Sequence, residues 1–365
     1  MNQSFPFDPA QIFGIAGEFL GAKLLTAGHI NRTYKLTYRG ANEHSVVLQR
    51  VNTAVFRNID GLMGNIFAVT EYLRKKISTL GGDVDRECLR FIRTADGALY
   101  HRDTDGGCWR AYGFVANSYT LQKIDSSETF TRAGRAFGRF GKLLADFDGA
   151  SLTETLPDFH NTPVRFAQLQ ESARCNAAGR TDGAAQEIAF AAERDGQYGR
   201  LLTLQAEGKL PVRVTHNDTK LNNVVFDGTT GDALCVIDLD TVMPGLSAYD
   251  FGDAIRYGAS TAAEDERDIS KVSLDLDLFA AYAEGYLEEA GPSLTATEKE
   301  TLPFGAWLMT IECGMRFLAD YLNGDVYFHT DCPEHNLVRA RTQFALAANM
   351  ERKMRDMEAI INAYN

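Results

Sequence analysis

The apolar positions change period several times along the chain. Between residues 7 and 21 they recur at helical spacing (Ile12, Phe13, Ile15, Ala16, Phe19, Leu20) and stop at Gly21, which predicts a short amphipathic helix. Three strand-like runs follow at 22–27, 33–38 and 45–51, separated by Gly28-His29-Ile30-Asn31 and by Arg39-Gly40-Ala41-Asn42, both with turn chemistry. Residues 59–78 return to the helical period, and 89–94, 98–101 and 109–115 read as strands. This order predicts a small sheet packed on one helix.

Beyond residue 116 the pattern is mainly helical, with three-to-four-residue apolar spacing over 126–147, 163–177 and 184–207. Short apolar runs at 212–215, 224–227 and 233–237 interrupt it as brief buried strands, and helices resume at 248–257, 274–290, 296–323 and 334–363. The chain has 365 residues, more than one ordinary domain of about 100 to 200. With no internal repeat and no long linker, the expectation is two lobes, 1–115 and 116–365, joined by a short hinge near 113–120.

Composition narrows the partners. With 37 basic against 49 acidic residues the net charge is -12, which opposes sequence-independent attraction to nucleic acid or to anionic membrane, without excluding an anion in one pocket. The six cysteines are scattered without a C-x-x-C pair, so buried free thiols are expected, and neither a disulfide framework nor a zinc site. The first residues lack a basic segment before a long apolar run, and no stretch approaches about 18 apolar residues, so a soluble cytoplasmic protein is expected, with no obligate protein partner implied.

The polar segments after the first and third short strands carry the chemistry. Val214-Thr215-His216-Asn217-Asp218-Thr219-Lys220-Leu221-Asn222-Asn223 fits H-x-D-x-x-x-x-N. Moving a phosphoryl group to a hydroxyl requires a carboxylate to orient the hydroxyl and take its proton, and an oxygen ligand to hold magnesium nearby; Asp218 and Asn223 fit those needs. Lys220 stands where an ammonium can neutralise charge on the transferred phosphate. His216 is expected to support the loop. Fifteen residues after Asn223 an apolar strand ends in Asp238-Leu239-Asp240, where a kinase carries D-F-G. Asp238 is the expected magnesium ligand, and Asp240 either shares that site or caps the following turn.

The first lobe offers nucleotide-binding candidates. The hairpin Gly28 to Tyr34 can present backbone N–H groups to phosphates, with Gly28, Asn31 and Thr33 as its cofactor-binding residues. No G-x-x-x-x-G-K-[ST] motif occurs. The next strand places Gln49 and Arg50 where a kinase keeps its phosphate-binding lysine, and Arg50 is chosen because it keeps the cation. Glu71 is the available acidic partner on the following helix. Trp109 to Phe114 ends the lobe, where backbone groups bind adenine between apolar side chains, Tyr112 and Phe114 among them.

The order of a small sheet, H-N-D-T-K-L-N-N and I-D-L-D-T resembles the aminoglycoside phosphotransferase and choline kinase superfamily. That resemblance implies an α+β, bilobal protein-kinase-like fold, with a small antiparallel-sheet N-lobe and a larger, mainly helical C-lobe, using ATP and Mg2+. Within the superfamily, GHINRTY, LQRVN, IDLDTVMPG, YDFGDAIRYGAST, ECGMRFLADYLNGDVYF and PEHNLVRARTQ look like the kinases that phosphorylate the anomeric hydroxyl of N-acetylhexosamines. The similarity implies Asp218 as base and as a substrate contact, Asn223 and Asp238 as metal ligands, and His29, Arg316 and Tyr327 around the sugar, with Tyr257 as an apolar wall. The helix reads Asn65-Ile66-Phe67 where that group tends to read N-I-E. Other acceptors, among them an aminoglycoside, homoserine or choline, stay open on the residues alone, as does a catalytically silent binding protein on the same fold.

Overall fold

The computed structural model describes residues 5–26 and 30–364. The chain forms two compact units, one of Met1–Thr120, Asp146–Leu156 and Val224–Pro244, the other of Leu121–Ala145, Pro157–Asn223 and Gly245–Asn365.

The first unit is built on an antiparallel sheet. Its strands are β1 (Glu18–Leu25), β2 (Arg32–Arg39), β3 (Glu43–Val51), β4 (Phe91–Ile92), β5 (His101–Arg102) and β6 (Cys108–Gly113), in the order β1-β2-β3-β6-β4 with β5 also on β6. Alternation divides the side chains of β3 and β6 between two faces. Leu48, Trp109 and Ala111 lie on one face in a core with Phe13, Tyr34, Leu36, Tyr38 and Val46, against which Phe5 and Phe7 pack. The opposite face carries Gln49 and Arg110, directly paired across the strands.

The helix expected over 7–21 is shorter. Helix α1 covers only Pro9–Phe13, capped by Asp8 and ended by Gly14 in the left-handed region at φ 61°. Gly17 follows at φ 108°, where a Cβ would sit 2.7 Å from the Arg39 carbonyl oxygen. Two glycine breaks in four residues release Phe19 and Leu20 into β1, where Phe19 pairs with Tyr38. Helix α2 (Ile59–Thr79) is capped by Asn58 and buries Leu62, Met63, Ile66, Val69 and Leu73.

A second small sheet of this unit joins Ser118–Tyr119, Val224–Asp227 and Ala233–Val236. Asp227, at its end, accepts from the Thr229 amide at 2.6 Å, from Arg86 at 2.6 Å and from the Thr230 amide at 3.1 Å. The Thr229 bond and then the Arg86 guanidinium pull its carboxyl down to about 2. An unfolded aspartate titrates near 3.9, so this carboxylate stabilises the fold fully above that pH and loses its contribution as pH falls through about 2. Asp227→Asn therefore lowers the thermal midpoint near neutral pH, and the gap to wild type narrows progressively below about pH 4. A pH-independent gap in thermal scans would refute this account.

The second unit is helical: α3 (Ser127–Leu143), α4 (Thr162–Cys175), α5 (Ala185–Ala192), α6 (Asp195–Tyr198), α7 (Arg200–Ala206), α8 (Ser247–Gly258), α9 (Leu276–Ala290), α10 (Ala296–Asn323) and α11 (His335–Asn362). The single helix expected over 184–207 is three. The Tyr198 hydroxyl, buried at the end of α6, takes the Ala191 carbonyl at 2.6 Å, satisfying the end of α5 from outside the helix. Helices α8 and α10 approach at Gly252 and Gly305, where any Cβ would overlap backbone of the facing helix. This close approach sets the Asp250-bearing helix directly against the helix that carries Glu312, Arg316 and Asp320.

Candidate active site

The H-x-D-x-x-x-x-N segment starts just after the strand Arg213–Thr215 and ends in the 3-10 turn Leu221–Asn223. Asn217 is left-handed at φ 62°, a conformation that a non-glycine residue holds only when its surroundings impose it. Asp250 imposes it: its carboxylate accepts the backbone N–H of His216 at 2.8 Å and of Asn217 at 2.7 Å. Thr219 donates its hydroxyl to the Asp250 carbonyl at 2.6 Å and its amide to Asp253 at 3.1 Å. Asp253 is in turn held by Arg256, which also pairs with Glu264. His216 is fully buried, edge-on to Phe137 and Phe140, in keeping with a supporting role.

Asp250 and Asp253 were not singled out as site residues from the sequence. The signal was there: two carboxylates three apart in Tyr249-Asp250-Phe251-Gly252-Asp253, inside a helix whose other positions, Arg256 and the tyrosines apart, are apolar or small. Buried carboxylates at that spacing need donors, and the amides of His216, Asn217 and Thr219 supply them.

The predicted residues of this loop come together. Lys220 Nζ lies 2.7 Å from Asp218 Oδ1, and Asn223 Nδ2 donates to Asp218 Oδ2 at 3.0 Å and to the Asp218 carbonyl at 2.8 Å. Burial pushes the Asp218 carboxyl up, but the Lys220 ammonium, with His216 and the Asn223 bond, outweighs it, and the net shift is down. Asp218 reciprocally raises the Lys220 ammonium. The Asp218 side chain keeps 28% of its surface, so the carboxylate is both ionised and reachable. With its nitrogen committed to Asp218, Asn223 has its amide oxygen left as an acceptor. Tyr257 donates its hydroxyl to the Gln122 carbonyl at 3.2 Å and lies within the electrostatic reach of Lys220 and Asp218.

A second cluster in the same unit surrounds Arg316. Its guanidinium sits 5.2 Å from the Phe159 ring centroid and 5.6 Å from that of Phe328, with no carboxylate in ion-pair contact among the described residues. Arg165 lies against Phe159 as well, with its Nε and one terminal nitrogen on the Phe159 carbonyl. Burial, and then the neighbouring Arg316 charge, lower the Arg165 guanidinium. The buried Glu312 is committed elsewhere, to His160 Nδ1 at 2.8 Å and the Thr162 hydroxyl at 2.6 Å. Tyr327 is 59% exposed, its ring edge-on to Phe328 and its phenol electrostatically coupled to Arg165. Arg165 and Phe159 were missed because they are remote in sequence from every motif.

In the first unit the inner face of the sheet carries a buried polar chain. Arg110 donates to Gln49 Oε1 at 2.9 and 2.7 Å and pairs with Asp240 Oδ1. Gln49 Nε2 donates to Thr33 Oγ1 at 2.9 Å. Asn31 Nδ2 donates to Asp240 Oδ2 at 2.6 Å, while its Oδ1 accepts the Asn52 amide at 3.0 Å. Asn31 and Thr33 are therefore members of this chain of bonds, and Asp240 is its hub. Asp238 lies next to it in a left-handed conformation, φ 60°.

Arg50, chosen from the sequence as the phosphate cation, lies on the other face. Register pairs it with Trp109, its guanidinium is 6.0 Å from that ring, and its neighbour Gln49 takes the inward position. Cations on the face of Asp240 include Arg110 and Lys35, the latter 3.9 Å from the Phe114 ring. The cause is the two-residue period of the strand, which sends adjacent side chains to opposite faces. Glu71 pairs with Arg93 at 2.9 Å on the surface. At the helix position where an acidic residue was sought, Phe67 is buried, its ring 5.9 Å from that of Phe91 and 4.7 Å from the Arg93 guanidinium. Two residues earlier, Asn65 bonds Thr153 and the Val242 carbonyl, just after the D-L-D segment. Tyr112 packs on Phe91, its phenol pushed up by burial, with Arg110 acting the other way and Asp238 and Asp240 reinforcing the shift. Gly28 and His29 lie outside the described residues.

An antiparallel-sheet unit, a helical unit, a loop with an ionised aspartate held by lysine and asparagine, and a strand-end D-L-D define a phosphotransferase of mixed α and β structure. The model of the phosphotransferase enzyme family (APH) matches residues 21–293, and the chain belongs to that family. Among solved structures it is similar to an aminoglycoside phosphotransferase from Alicyclobacillus acidocaldarius (TM-score 0.59, 11% identity, 97% of this chain and 98% of that one). It is also similar to choline kinase from Cryptosporidium parvum (TM-score 0.54, 13% identity, 93% and 90%). A third match is the amicoumacin kinase hAmiN in complex with AMP-PNP, Ca2+ and Ami (TM-score 0.54, 14% identity, 93% and 94%). The fold is thus that of the aminoglycoside phosphotransferases and choline kinases. Among the described residues no helix is long and apolar enough to cross a membrane.

Proposed function

We propose that this protein is an ATP-dependent N-acetylhexosamine 1-kinase, forming the sugar 1-phosphate and ADP. Asp218 orients the anomeric hydroxyl and accepts its proton while the hydroxyl oxygen forms a bond to the γ-phosphorus; the bond from that phosphorus to the bridging oxygen breaks, and ADP leaves with the electron pair. Lys220 keeps Asp218 ionised before the step and offsets charge on the phosphoryl group during it. Asn223 and Asp238 are the magnesium ligands in this reading. No three His, Cys, Asp or Glu side chains form a dedicated metal cage among the described residues, and magnesium in nucleotide enzymes takes one or two protein oxygens. The uncommitted amide oxygen of Asn223 suits that donor set; the ion, when bound, neutralises phosphate charge.

One observation carries the choice of acceptor: the two neighbouring guanidiniums of Arg165 and Arg316 against Phe159, beside Tyr327. An aminoglycoside or a choline would meet repulsion at this cluster, whereas ring hydroxyls and an acetamido carbonyl accept hydrogen bonds from it, and the rings of Phe159 and Phe328 offer apolar contact. His29 and Tyr257 complete the proposed sugar contacts, by resemblance. The test is a panel of N-acetylglucosamine, N-acetylgalactosamine, glucose, homoserine, choline, ethanolamine and an aminoglycoside with Mg-ATP, read by phosphorus NMR of the product. An N-acetylhexosamine 1-phosphate is expected as the main product. Equal or faster turnover of a cationic acceptor would overturn the assignment.

A further inference from the structure

Asp320 lies one helical turn beyond Arg316 on α10 and is 5% exposed. A buried carboxylate needs compensation for lost hydration, and here no basic side chain provides it among the described residues. Instead Oδ1 accepts the backbone N–H of Val326 at 3.0 Å and of Tyr327 at 2.9 Å, and Oδ2 accepts the N–H of Phe328 at 2.9 Å and Nδ2 of Asn336 at 2.9 Å. Three successive amides and one side-chain amide converge on one carboxylate. Resting on the acceptor reading above, we propose that Asp320 is a positioning residue for the acceptor site, shaping the loop that presents Tyr327 beside Arg316.

The rest of the turn is built around the same point. The chain leaves α10 through two left-handed residues, Gly324 at φ 95° and Asp325 at φ 61°. The Asp325 amide returns to the Asp320 carbonyl at 2.8 Å. The Asp325 carboxylate is tied to Arg180 at 2.5 Å and to the same Asn336 amide at 2.9 Å. Arg180 donates also to the Tyr321 carbonyl at 2.9 Å. With the backbone so held, Val326 and Tyr327 turn outward at 78% and 59% exposure. Phe328 turns back onto Phe317 at 4.6 Å and meets the Arg316 guanidinium. A helix-borne cation and a loop-borne phenol thereby keep one relation to each other, set by a carboxylate that touches neither. Only a carboxylate serves: asparagine at 320 would turn an NH2 toward donors that need an acceptor.

The test uses Asp320→Asn in the full chain, with steady-state kinetics and amide hydrogen exchange. Faster exchange at Val326, Tyr327 and Phe328 is expected, with an acceptor KM raised roughly tenfold or more, as misplacement of a binding group does. KM for Mg-ATP should stay within about twofold, because the loss is confined to acceptor binding. Unchanged exchange overturns the proposal, and so does faster exchange with an unchanged acceptor KM. Should Asp320→Asn fail to fold, Asn336→Ser, which removes one of the four donors, is read by the same two criteria. Tyr327→Ala separates the premises. An unchanged acceptor KM in that variant removes Tyr327 from acceptor binding and overturns the role proposed for Asp320, whereas failure of the sugar reading alone shows in the acceptor panel, whose best acceptor then supplies the KM.

Discussion

Exchange of Asp218 for asparagine lowers kcat for phosphoryl transfer by about 10^2–10^4-fold, the range that a positioned general base contributes. The substitution keeps shape and the contact to Asn223 but removes the charge that accepts the proton. It also removes the partner of Lys220, 2.7 Å away. KM for Mg-ATP should change little, since the lost interaction belongs to the transferred proton. The companion variant Lys220→Met tests the electrostatics. Burial acts to raise the Asp218 carboxyl and Lys220 is the largest influence opposing it, so without the ammonium the acid limb of the kcat/KM profile moves to higher pH. Single-turnover rates across pH for the three proteins check both statements. Asp218→Asn activity within a few-fold of wild type would remove Asp218 as the base.

Replacing Arg110 with methionine destabilises the fold by about 3–5 kcal/mol, the usual cost of removing one member of a buried ion pair. The side chains of Arg110 and Asp240 are 2% and 4% exposed, and the guanidinium also satisfies Gln49. Its loss leaves the Asp240 carboxylate buried with, among the described residues, the Asn31 amide alone, and leaves the Gln49 oxygen without its donor. Because the penalty comes from the stranded partner, Asp240→Asn in the Arg110→Met background should recover a large part of it. A double-mutant cycle by urea unfolding measures that coupling. Additive effects of the two substitutions would show that the pair does not act as a unit. The network also ties Asn31 to the segment carrying Asp238, so variants that fold should show a raised KM for Mg-ATP.

Much of the architecture was legible because it rests on local periodicity. The helix expected over 296–323 is α10 residue for residue, and 59–78 is α2 within one residue, since long apolar stripes and flanking caps leave few alternatives. The errors fell where short-range geometry overrides the stripe. At 7–21 two glycines with positive φ cut a helical pattern into one turn and a strand, and at 184–207 a tyrosine hydroxyl ends a helix from outside.

The site shows the same division. The loop Asp218, Lys220 and Asn223 was readable because its members are within six residues, and the turn between them leaves their side chains no room to separate. Arg110, Arg165 and Asp250 were not, since each acts on a partner distant in sequence: Asp240, Arg316 and His216 have no periodic relation to them. Asp320 lies only seven residues from Tyr327, but its bonds depend on how the chain turns after α10, which no period announces. Arg50 illustrates the limit most sharply. The sequence determined that a cation stands on β3, together with the H-x-D-x-x-x-x-N loop, the strand-end aspartates and the order of elements. Tertiary structure alone decided which face that cation occupies and which other strand supplies the buried one, because register across a sheet is a long-range property, and a shift of one residue exchanges inside for outside.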